Sequence, residues 1–397
     1  MRVFVTGATG FIGQAVVQEL LDAGHKVIGL ARSEESATAL QAKGVDVIRG
    51  SLEDIESLKR GAREADGVIN LAFNHDFTKY EENTNTEYAA IQAIGATLVG
   101  TNKPFVITMG TLILPKGKLG VEESVIDYDD AMNVRAKSEK EVDILAAQGV
   151  RASVVRLSPT VHGPGDLAFI NMLAQIARGN GEAAYIGNGL NRWPAVHRLD
   201  AARLFRLAVE KGVAGGRYHA AAEEGIPFKN IAEALGQSLG LPVVSKTPEE
   251  APAYFRGFIA ALAGVDNPTS SKKTQETLGW KPSESTLLED INRTSFGSLT
   301  DNVNLVTVSV MALWSLSAGS SGLSPGTVSG EQRQFRNRIA IVATKSTCEN
   351  LKPGHIRSPH DQDKNVPLSG VMRSPESSIH REGRKFMTSS PQIAESK

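Results

Sequence analysis

Short apolar runs alternate with amphipathic stretches over the first 160 residues. The runs are rich in β-branched residues and apolar on both faces: RVFVT (2–6), KVIGLA (26–31), DVIRG (46–50), GVINLA (67–72), PFVITMG (104–110) and RASVVRL (151–157). Between most of them, apolar residues recur at helical spacing, in 12–23, 34–43, 53–64, 84–101 and 130–148. Alternating strands and helices predict an α/β fold, a Rossmann-type doubly wound parallel sheet over residues 1–160, with later segments also entering the sheet.

The alternation loosens after residue 160. Helical stretches at 166–179, 200–211, 228–239 and 247–263 are mixed with short strands at 196–199 and 216–220. This pattern predicts a small C-terminal lobe over residues 161–296, which we expect to bind the substrate.

The composition changes again near residue 297. Serine, threonine, asparagine and scattered charges dominate residues 297–397, and helical periodicity disappears. Such a segment cannot bury enough apolar surface to offset its ordering entropy, so we expect a mostly disordered tail. It could be a regulatory tail or non-native sequence, such as translated intron or a shifted frame, and the residues do not separate these origins.

Overall charge and cysteine content narrow the class of protein. The chain is 41% hydrophobic and 22% charged, its formal net charge is −1, and its one cysteine is Cys348. This composition predicts a soluble, cytoplasmic protein that acts on a small molecule, with no nucleic-acid or membrane partner. The apolar run 305–316 is too short and too polar to cross a bilayer. No segment has metal-ligand spacing, so we expect no metal site.

A glycine-rich turn follows the first strand and opens the first helix. In GATGFIG (7–13), Gly7 permits the tight turn, Gly10 lets the backbone approach a pyrophosphate, and Gly13 lets the helix pack on the sheet. The helix N-terminus offers free N–H groups to the phosphates. The pattern stands at the start of a β-α-β unit, which is the context that gives it meaning. We therefore expect the turn, including Thr9, Phe11 and Ile12, to bind a dinucleotide.

The end of the second strand bears on which dinucleotide is bound. An NAD-specific site usually has an acidic residue there for the ribose 2′-hydroxyl, whereas this chain has Leu30-Ala31-Arg32-Ser33. The Arg32 guanidinium could pair with a 2′-phosphate, which favours NADP(H) over NAD(H). The alternative is that Arg32 is a solvated loop residue.

Five segments in the right order resemble the NAD(P)-dependent epimerase/dehydratase family, in the extended and atypical branch of the short-chain dehydrogenases/reductases. They are TGATGFIG (6–13), GSLED (50–54), NLAF (70–73), LSPTVHGPGD (157–166) and NRWPAVHRLDAARLF (191–205), and the resemblance covers about residues 1–295. It implies that Leu52 approaches the adenine, that Leu71 and Ala72 lie along the cofactor, and that Pro159 lies near the nicotinamide.

The resemblance also implies a catalytic tyrosine with a lysine four residues later, and a hydroxyl residue at the end of the preceding strand. The lysine would hold the ribose and lower the pKa of the tyrosine, which would then exchange a proton with the substrate oxygen. Lys137 fits the lysine, but Asn133 occupies the tyrosine position and cannot act as a general acid, although its amide can donate a hydrogen bond. Tyr128 does not restore the spacing. Thr108 and Thr111 are the candidate hydroxyls, and each could equally be an ordinary strand residue.

A displaced acid is one way to complete the site. His75 follows the fourth strand, where ligands bind in such sheets, and Asp76 could orient it. His162 and His197 lie in segments that, by resemblance, flank the substrate pocket. Arg135 and Glu139, four apart on the predicted helix, could form a surface ion pair worth little.

The sequence thus predicts an NADP(H)-dependent oxidoreductase that acts on a small carbonyl or hydroxyl compound through a non-standard active site. The missing tyrosine keeps open a second class, a non-catalytic NADP(H)-binding sensor or scaffold. A third possibility is a nucleotide-sugar epimerase or dehydratase. The resemblance further implies a possible homodimer that pairs through the helices at 84–101 and 130–148.

Overall fold

A parallel sheet of seven strands organises the N-terminal part of the computed structural model, which describes residues 1–128, 134–166 and 168–293. Its strands are β1 (Arg2–Thr6), β2 (Lys26–Ala31), β3 (Asp46–Arg49), β4 (Gly67–Asn70), β5 (Pro104–Gly110), β6 (Arg151–Leu157) and β10 (Gly216–Ala220). Their spatial order is β10-β6-β5-β4-β1-β2-β3, and every neighbouring pair is parallel. The predicted doubly wound fold is confirmed.

Helices cover both faces of this sheet. They are α1 (Phe11–Asp22), α2 (Glu34–Gln41), α3 (Ile55–Glu64), α4 (Tyr80–Leu98), α5 (Ala136–Ala147) and α7 (Arg198–Lys211). Apolar side chains of α1 and α7 pack with β1 and β2 in one core, and those of α3, α4 and α5 pack on the opposite face in a second core. Burial on both faces explains why the strands read as continuous apolar runs.

The remaining elements form a smaller layer. A three-stranded sheet has the order β11 (Glu223–Pro227), β9 (Arg192–His197), β7 (Thr160–His162), and β8 (Ala183–Ile186) pairs with β12 (Val243–Lys246). Five helices belong to this layer: α6 (Phe169–Asn180), α8 (Phe228–Leu239), α9 (Ala251–Phe255), α10 (Gly257–Leu262) and α12 (Leu287–Arg293). Their core is centred on the buried rings of Trp193, Phe228 and Phe255. Helix α11 (Lys272–Leu278) packs instead on β10 and α7 of the main sheet.

The order of the strands determines where the ligand crevice lies. The chain leaves β1 toward β2 and β3 on one side, and returns to β4, β5 and β6 on the other. The reversal opens a crevice outside the carboxyl ends of β1 and β4, where ligands bind in sheets of this kind. Thr6, Asn70 and Gly110 end β1, β4 and β5 at this edge.

Several predicted boundaries differ from the structure. Helix α4 begins at Tyr80 rather than at 84, and α5 begins at Ala136 rather than at 130. The strand at 216–220, expected in the C-terminal lobe, is β10 at the edge of the main sheet. The predicted helix 247–263 is two short helices, because Arg256 has a positive φ of 57° between them.

Two structural features are absent from the described residues. None of their helices is long and apolar enough to cross a membrane, and no group of three or more His, Cys, Asp or Glu side chains among them could hold a metal ion. The predicted tail (297–397), with Cys348, lies outside the described residues.

Candidate active site

The glycine-rich turn is built so that only glycine fits. Gly7 has a φ of +67°, and a Cβ there would lie 2.9 Å from the backbone nitrogen of Ala72. A Cβ on Gly13 would lie 2.0 Å from the carbonyl oxygen of Gly7. The turn is tied to β4 through Thr6, whose hydroxyl donates to Asn70 Oδ1 at 2.7 Å and accepts from the Ala72 N–H at 3.2 Å. The turn therefore rests directly on the segment that follows β4.

The first turn of α1 is open to an anion. Its N-cap, Gly10, carries no capping side chain, and no acidic residue lies in the first turn. Thr9 and Phe11 flank Gly10 and are half-buried, as is Ile12. The unclaimed N–H groups and the positive end of the helix dipole face the crevice.

A second positive charge lies beside this turn. Arg198 starts α7, and its guanidinium carbon lies 5.2 Å from the centroid of the Phe11 ring. Its buried Nε has no hydrogen-bond partner within the described part of the chain. The arginine therefore adds positive charge next to the N-terminus of α1.

The opposite end of the crevice is bounded by the ends of β2 and β3. Arg32 is exposed, and its carbonyl oxygen accepts from the Arg49 guanidinium at 3.3 Å. Hydrogen bonding to Ser51, with a smaller contribution from the Arg32 charge, lowers the pKa of Glu53. Leu52 is half-buried against the core of α3 and α4. The Arg32 side chain thus lies where β2 and β3 end, as its position in the sequence indicates.

Aromatic rings from both parts of the fold meet at the carboxyl edge of β4. We call Phe73, His75, Phe77, Tyr80, Phe169 and Phe258 the aromatic group. Phe77 and Phe258 stack with centroids 4.4 Å apart and ring planes 8° from parallel, and the Phe169 ring lies 6.2 Å from Phe77. Because Phe169 and Phe258 come from α6 and α10, the group joins the segment after β4 to the C-terminal layer. Its chemistry suits an apolar or ring-bearing ligand.

His75 lies between Phe73 and Phe77, with ring centroids 5.5 Å and 6.0 Å away. Burial among these rings, together with the positive charge of Arg135, lowers the pKa of His75. The imidazole is therefore mainly neutral near pH 7, which suits a hydrogen-bond donor or a base better than a charged acid. Asp76 does not orient His75 through a hydrogen bond: its carboxylate accepts from Thr78 at 2.5 Å and 3.1 Å and caps the short 3-10 helix at Phe77–Lys79.

Arg135 lies at the floor of the aromatic group. Its guanidinium makes two hydrogen bonds to the buried carboxylate of Glu87, at 2.7 Å and 2.5 Å, and a third to the carbonyl oxygen of Thr108 at 3.2 Å. The guanidinium carbon lies 4.2 Å from the centroid of the Phe73 ring. The predicted surface pair between Arg135 and Glu139 is therefore wrong, because Arg135 turns inward to α4.

Glu139 forms a different, fully buried ion pair. Its carboxylate accepts two hydrogen bonds from Arg156, at 3.0 Å and 2.5 Å, and neither side chain is more than 1% exposed. Arg217 of β10 adds a third contact at 3.3 Å. The pair fixes α5 to β6 and β10, beneath the sheet edge that carries the site.

Lys137 of α5 contacts a different face of α4 from the one that Arg135 contacts. Its ammonium donates to Asn85 Oδ1 and lies 5.4 Å from the Tyr88 ring centroid. Asn85 and Glu87 are two residues apart on α4, about 200° around the helix, so Lys137 and Arg135 approach different faces. The role of Lys137 in holding the ribose stays a prediction.

The described members of the expected catalytic set have partners within the fold, and Asn133 lies outside the described residues. Tyr128 is exposed, beside Lys140 at 5.7 Å. Thr108 donates its hydroxyl hydrogen to the Asn70 carbonyl at 2.7 Å. The Thr111 hydroxyl donates to the buried Asn267 at 2.8 Å, so the side chain of Thr111 faces the interior.

Two histidines expected near the pocket face each other inside the protein. His162 and His197 are 2% and 5% exposed, with ring centroids 5.5 Å apart. His162 Nδ1 lies 2.6 Å from an Asp290 carboxylate oxygen, and His197 Nδ1 accepts from the Leu199 N–H at the start of α7. Burial lowers the pKa of His162, and Asp290 partly offsets this. The pair therefore joins β7, β9 and α12 and does not reach open solvent.

The loop after β7 contributes a carboxyl group that the sequence did not single out. Asp166 follows Gly163-Pro164-Gly165 and accepts a hydrogen bond from the Ala168 N–H at 2.6 Å, just before Phe169 of the aromatic group. Burial raises its pKa to about 6. Pro159, at the start of the same segment, is half-buried.

Comparison with known proteins supports the fold and the turn together. Residues 3–100 match the NAD dependent epimerase/dehydratase family. An uncharacterized protein of Schizosaccharomyces pombe is 52% identical over 292 residues, which are 73% of this chain and 98% of that protein. A 2-alkyl-3-oxoalkanoate reductase of Stenotrophomonas maltophilia is 30% identical over 65% of this chain and 82% of its own length.

The chain belongs to the NAD-dependent epimerase/dehydratase family. A solved structure of a dTDP-glucose 4,6-dehydratase double mutant from Streptomyces venezuelae, with NAD bound, aligns with a TM-score of 0.60. It is 19% identical and covers 74% of this chain and 96% of that chain, so it shows the shared fold.

The turn fits the family's dinucleotide. The missing Cβ atoms of Gly7, Gly10 and Gly13 leave the backbone open, and the uncapped N-terminus of α1 supplies unclaimed donors for a pyrophosphate. In this epimerase/dehydratase fold the sequence predicted the turn and gave Arg135 the wrong partner, but it did not single out Glu87 or Tyr80. The only signal for Tyr80 was its aromatic spacing from Phe77 in NHDFTKY, and an ion pair between residues 48 apart leaves no local pattern.

Proposed function

We propose that this protein is an NADP(H)-dependent oxidoreductase that acts on an apolar carbonyl or hydroxyl compound. The observation that carries the proposal is the adjacency of two sites at one sheet edge. Gly7 of the open turn packs on Ala72. Phe73, which follows Ala72, is the first residue of the aromatic group, and its ring contacts the Arg135 guanidinium. A dinucleotide on the turn and an apolar substrate on the rings would therefore meet at the ends of β4 and β5.

The backbone of Gly7–Gly13 and the N-terminus of α1 would hold the pyrophosphate. When bound, the dinucleotide supplies or accepts a hydride. Arg32 supports NADP(H), because the end of β2 bears a guanidinium and no carboxylate, and Arg49 adds a second positive charge to the same edge. Glu34 pairs with Arg49 at 2.7 Å and reduces that charge, so Arg32 is the residue to test.

The aromatic group supports a substrate with an apolar chain or ring. Phe77, Phe169 and Phe258 offer their rings with few hydrogen-bonding groups, and His75 supplies a polar atom among them. The name of the relative from Stenotrophomonas maltophilia, a 2-alkyl-3-oxoalkanoate reductase, is consistent with a ketone that carries alkyl chains.

The test is a titration of the full chain with NADPH and NADH, followed by a spectrophotometric search for NADPH oxidation with aryl ketones and 2-alkyl-3-oxo acids. Saturable binding and turnover are expected. His75→Ala should slow turnover by about tenfold or more, if the imidazole hydrogen-bonds the substrate oxygen. Asp76→Ala, which removes only the cap on the 3-10 helix, is the control and should retain turnover. A folded protein that binds neither dinucleotide would refute the proposal.

One observation favours a second candidate, a dinucleotide-binding protein without turnover. The hydroxyl groups of Thr108 and Thr111 both donate to protein acceptors, so the usual hydroxyl contribution to the substrate oxygen is not available in this structure. Tight binding of NADPH with no oxidation in the presence of any ketone of the panel would select this candidate.

A further inference from the structure

Arg135 differs from an arginine that only stabilises the fold. Two of its nitrogens, Nε and one terminal nitrogen, make its three hydrogen bonds to Glu87 and Thr108. The other terminal nitrogen, NH1, has no acceptor among the described residues, and the side chain keeps 18% exposure. Arg156, by contrast, is 1% exposed and uses both terminal nitrogens and Nε on protein acceptors.

The partly exposed guanidinium lies against the aromatic group, with its carbon 4.2 Å from the centroid of the Phe73 ring. Burial lowers the pKa of His75 and the positive charge of Arg135 adds to that shift, whereas burial raises the pKa of Tyr80 and the Arg135 charge opposes it. The ring of Phe73 covers one face of the guanidinium, so the free N–H groups at its rim are directed along the plane of the group. A donor in this position lies where the carboxyl ends of β4 and β5 meet.

Charge balance decides what this donor would bind. Glu87 is 1% exposed and already neutralises Arg135 through two hydrogen bonds. A second full carboxylate at the site would be repelled by Glu87, whereas a carbonyl oxygen carries only partial negative charge before reaction. The arrangement therefore suits an oxygen on which negative charge develops during the reaction.

We infer that Arg135 is a catalytic residue that binds the carbonyl oxygen of the substrate and stabilises the negative charge that develops there, the task of the tyrosine that this chain lacks. The inference rests on the proposed function and names the part of the site that performs it. In reduction, the carbonyl carbon accepts a hydride from the reduced dinucleotide, the π pair of the C=O bond moves onto oxygen, and water donates a proton to that oxygen, leaving hydroxide. Arg135 keeps its own protons throughout, because a guanidinium does not titrate in the working range.

The test separates oxygen binding from folding. Removing Arg135 alone leaves Glu87 buried and unpaired, which can unfold the protein. The double variant Arg135→Leu/Glu87→Leu removes both charges, and such apolar replacements of buried pairs are often tolerated. Arg217→Leu is the matched control, since Arg217 has 19% side-chain exposure and pairs with Glu139 and Asp143 of α5 away from the crevice.

The probes are acetophenone and ethylbenzene, which share a ring and differ in the carbonyl oxygen. Binding to the full chain saturated with NADP⁺ is measured by ligand-observed NMR, alongside urea unfolding and NADPH titration of each variant. The wild-type protein and Arg217→Leu should prefer acetophenone by about tenfold or more, the range expected for a hydrogen bond to a charged group. The double variant should lose this preference while its NADPH affinity stays within about twofold, because it keeps the turn.

A double variant that folds and still prefers acetophenone as the wild type does would overturn the inference, and so would a wild-type protein that binds NADP⁺ but shows no preference. Failure of the proposed function has a different signature, which is the absence of dinucleotide binding. Arg135→Lys provides a last distinction: it keeps the charge but not the forked geometry, and should recover part of the turnover that the double variant loses. No recovery by a folded, dinucleotide-binding Arg135→Lys would also count against the assignment.

Discussion

Replacing Gly13 by alanine should abolish dinucleotide binding through a clash between two backbone segments. The new Cβ would lie 2.0 Å from the Gly7 carbonyl oxygen and 2.9 Å from its carbonyl carbon. The shorter distance is about 1 Å or more inside van der Waals contact. The neighbour is backbone, in a turn that also packs on Ala72, so it cannot yield as a flexible side chain would.

The cost can be estimated from this geometry. Overpacking of a rigid site costs about 1–3 kcal/mol, and we expect the upper end because both partners are main chain. A shift of about 1 Å in the turn also misplaces the N–H groups of α1, and an affinity loss of about 100-fold corresponds to about 2.7 kcal/mol. Gly13→Ala should therefore unfold at lower urea concentration and bind NADPH at least about 100-fold more weakly.

The control is Gly179→Ala. Gly179 lies in α6, and a Cβ there would meet nothing within 4 Å. Because alanine is the better helix former by about 1 kcal/mol, this variant should be as stable as the wild type or more so, with unchanged NADPH affinity. Fluorescence titration and urea unfolding measure both quantities. Wild-type affinity for NADPH in Gly13→Ala would refute the reasoning that the turn holds the dinucleotide.

Three further predictions follow from charged groups. Arg32→Ala should weaken NADPH binding by about tenfold or more and leave NADH binding unchanged, in parallel titrations; equal losses for the two would contradict the 2′-phosphate role. Burial and the neighbouring Arg156 lower the pKa of His219 to about 3, so the unfolded chain binds the extra proton and stability falls as the pH drops below about 6.5. At pH 5 this histidine alone should lower the free energy of unfolding by about 2 kcal/mol. In urea unfolding, the stability of His219→Gln should depend less steeply on pH than that of the wild type, and an equal dependence would mean that His219 does not contribute. Arg156→Met leaves the buried Glu139 carboxylate with only the 3.3 Å contact to Arg217 and should destabilise the protein by about 3 kcal/mol in urea unfolding. A loss below about 1 kcal/mol, as for an exposed pair, would show that the pair is not needed for stability.

Local pattern was sufficient for the parts of the fold whose signal lies within a few residues. The apolar runs predicted six of the strands of the main sheet, and GATGFIG between a strand and a helix predicted the tight glycine turn that the structure shows. Where the outcome depends on contacts between distant residues, the pattern was not sufficient. β10 was assigned to the wrong layer because its place beside β6 is fixed by pairing with residues about sixty positions earlier.

The catalytic part of the site shows the same limit. The motif predicted catalytic roles for Asn133 and Lys137, because a spacing of four residues on a helix is a local signal. In the structure Arg135, just before the start of α5 at Ala136, pairs with Glu87 of α4 and lies against the Phe73 ring. Nothing in the sequence near Arg135 shows that its guanidinium turns inward, since its partner is 48 residues away.

The most direct test of the account is transfer of deuterium from C4-deuterated NADPH to a ketone bound by the full chain, followed by mass spectrometry of the product. An oxidoreductase that joins the glycine turn to the aromatic group should give an alcohol with one deuterium on the former carbonyl carbon, and the label should be lost in Gly13→Ala. A folded protein that binds both NADPH and the ketone but forms no labelled alcohol would contradict the central claim.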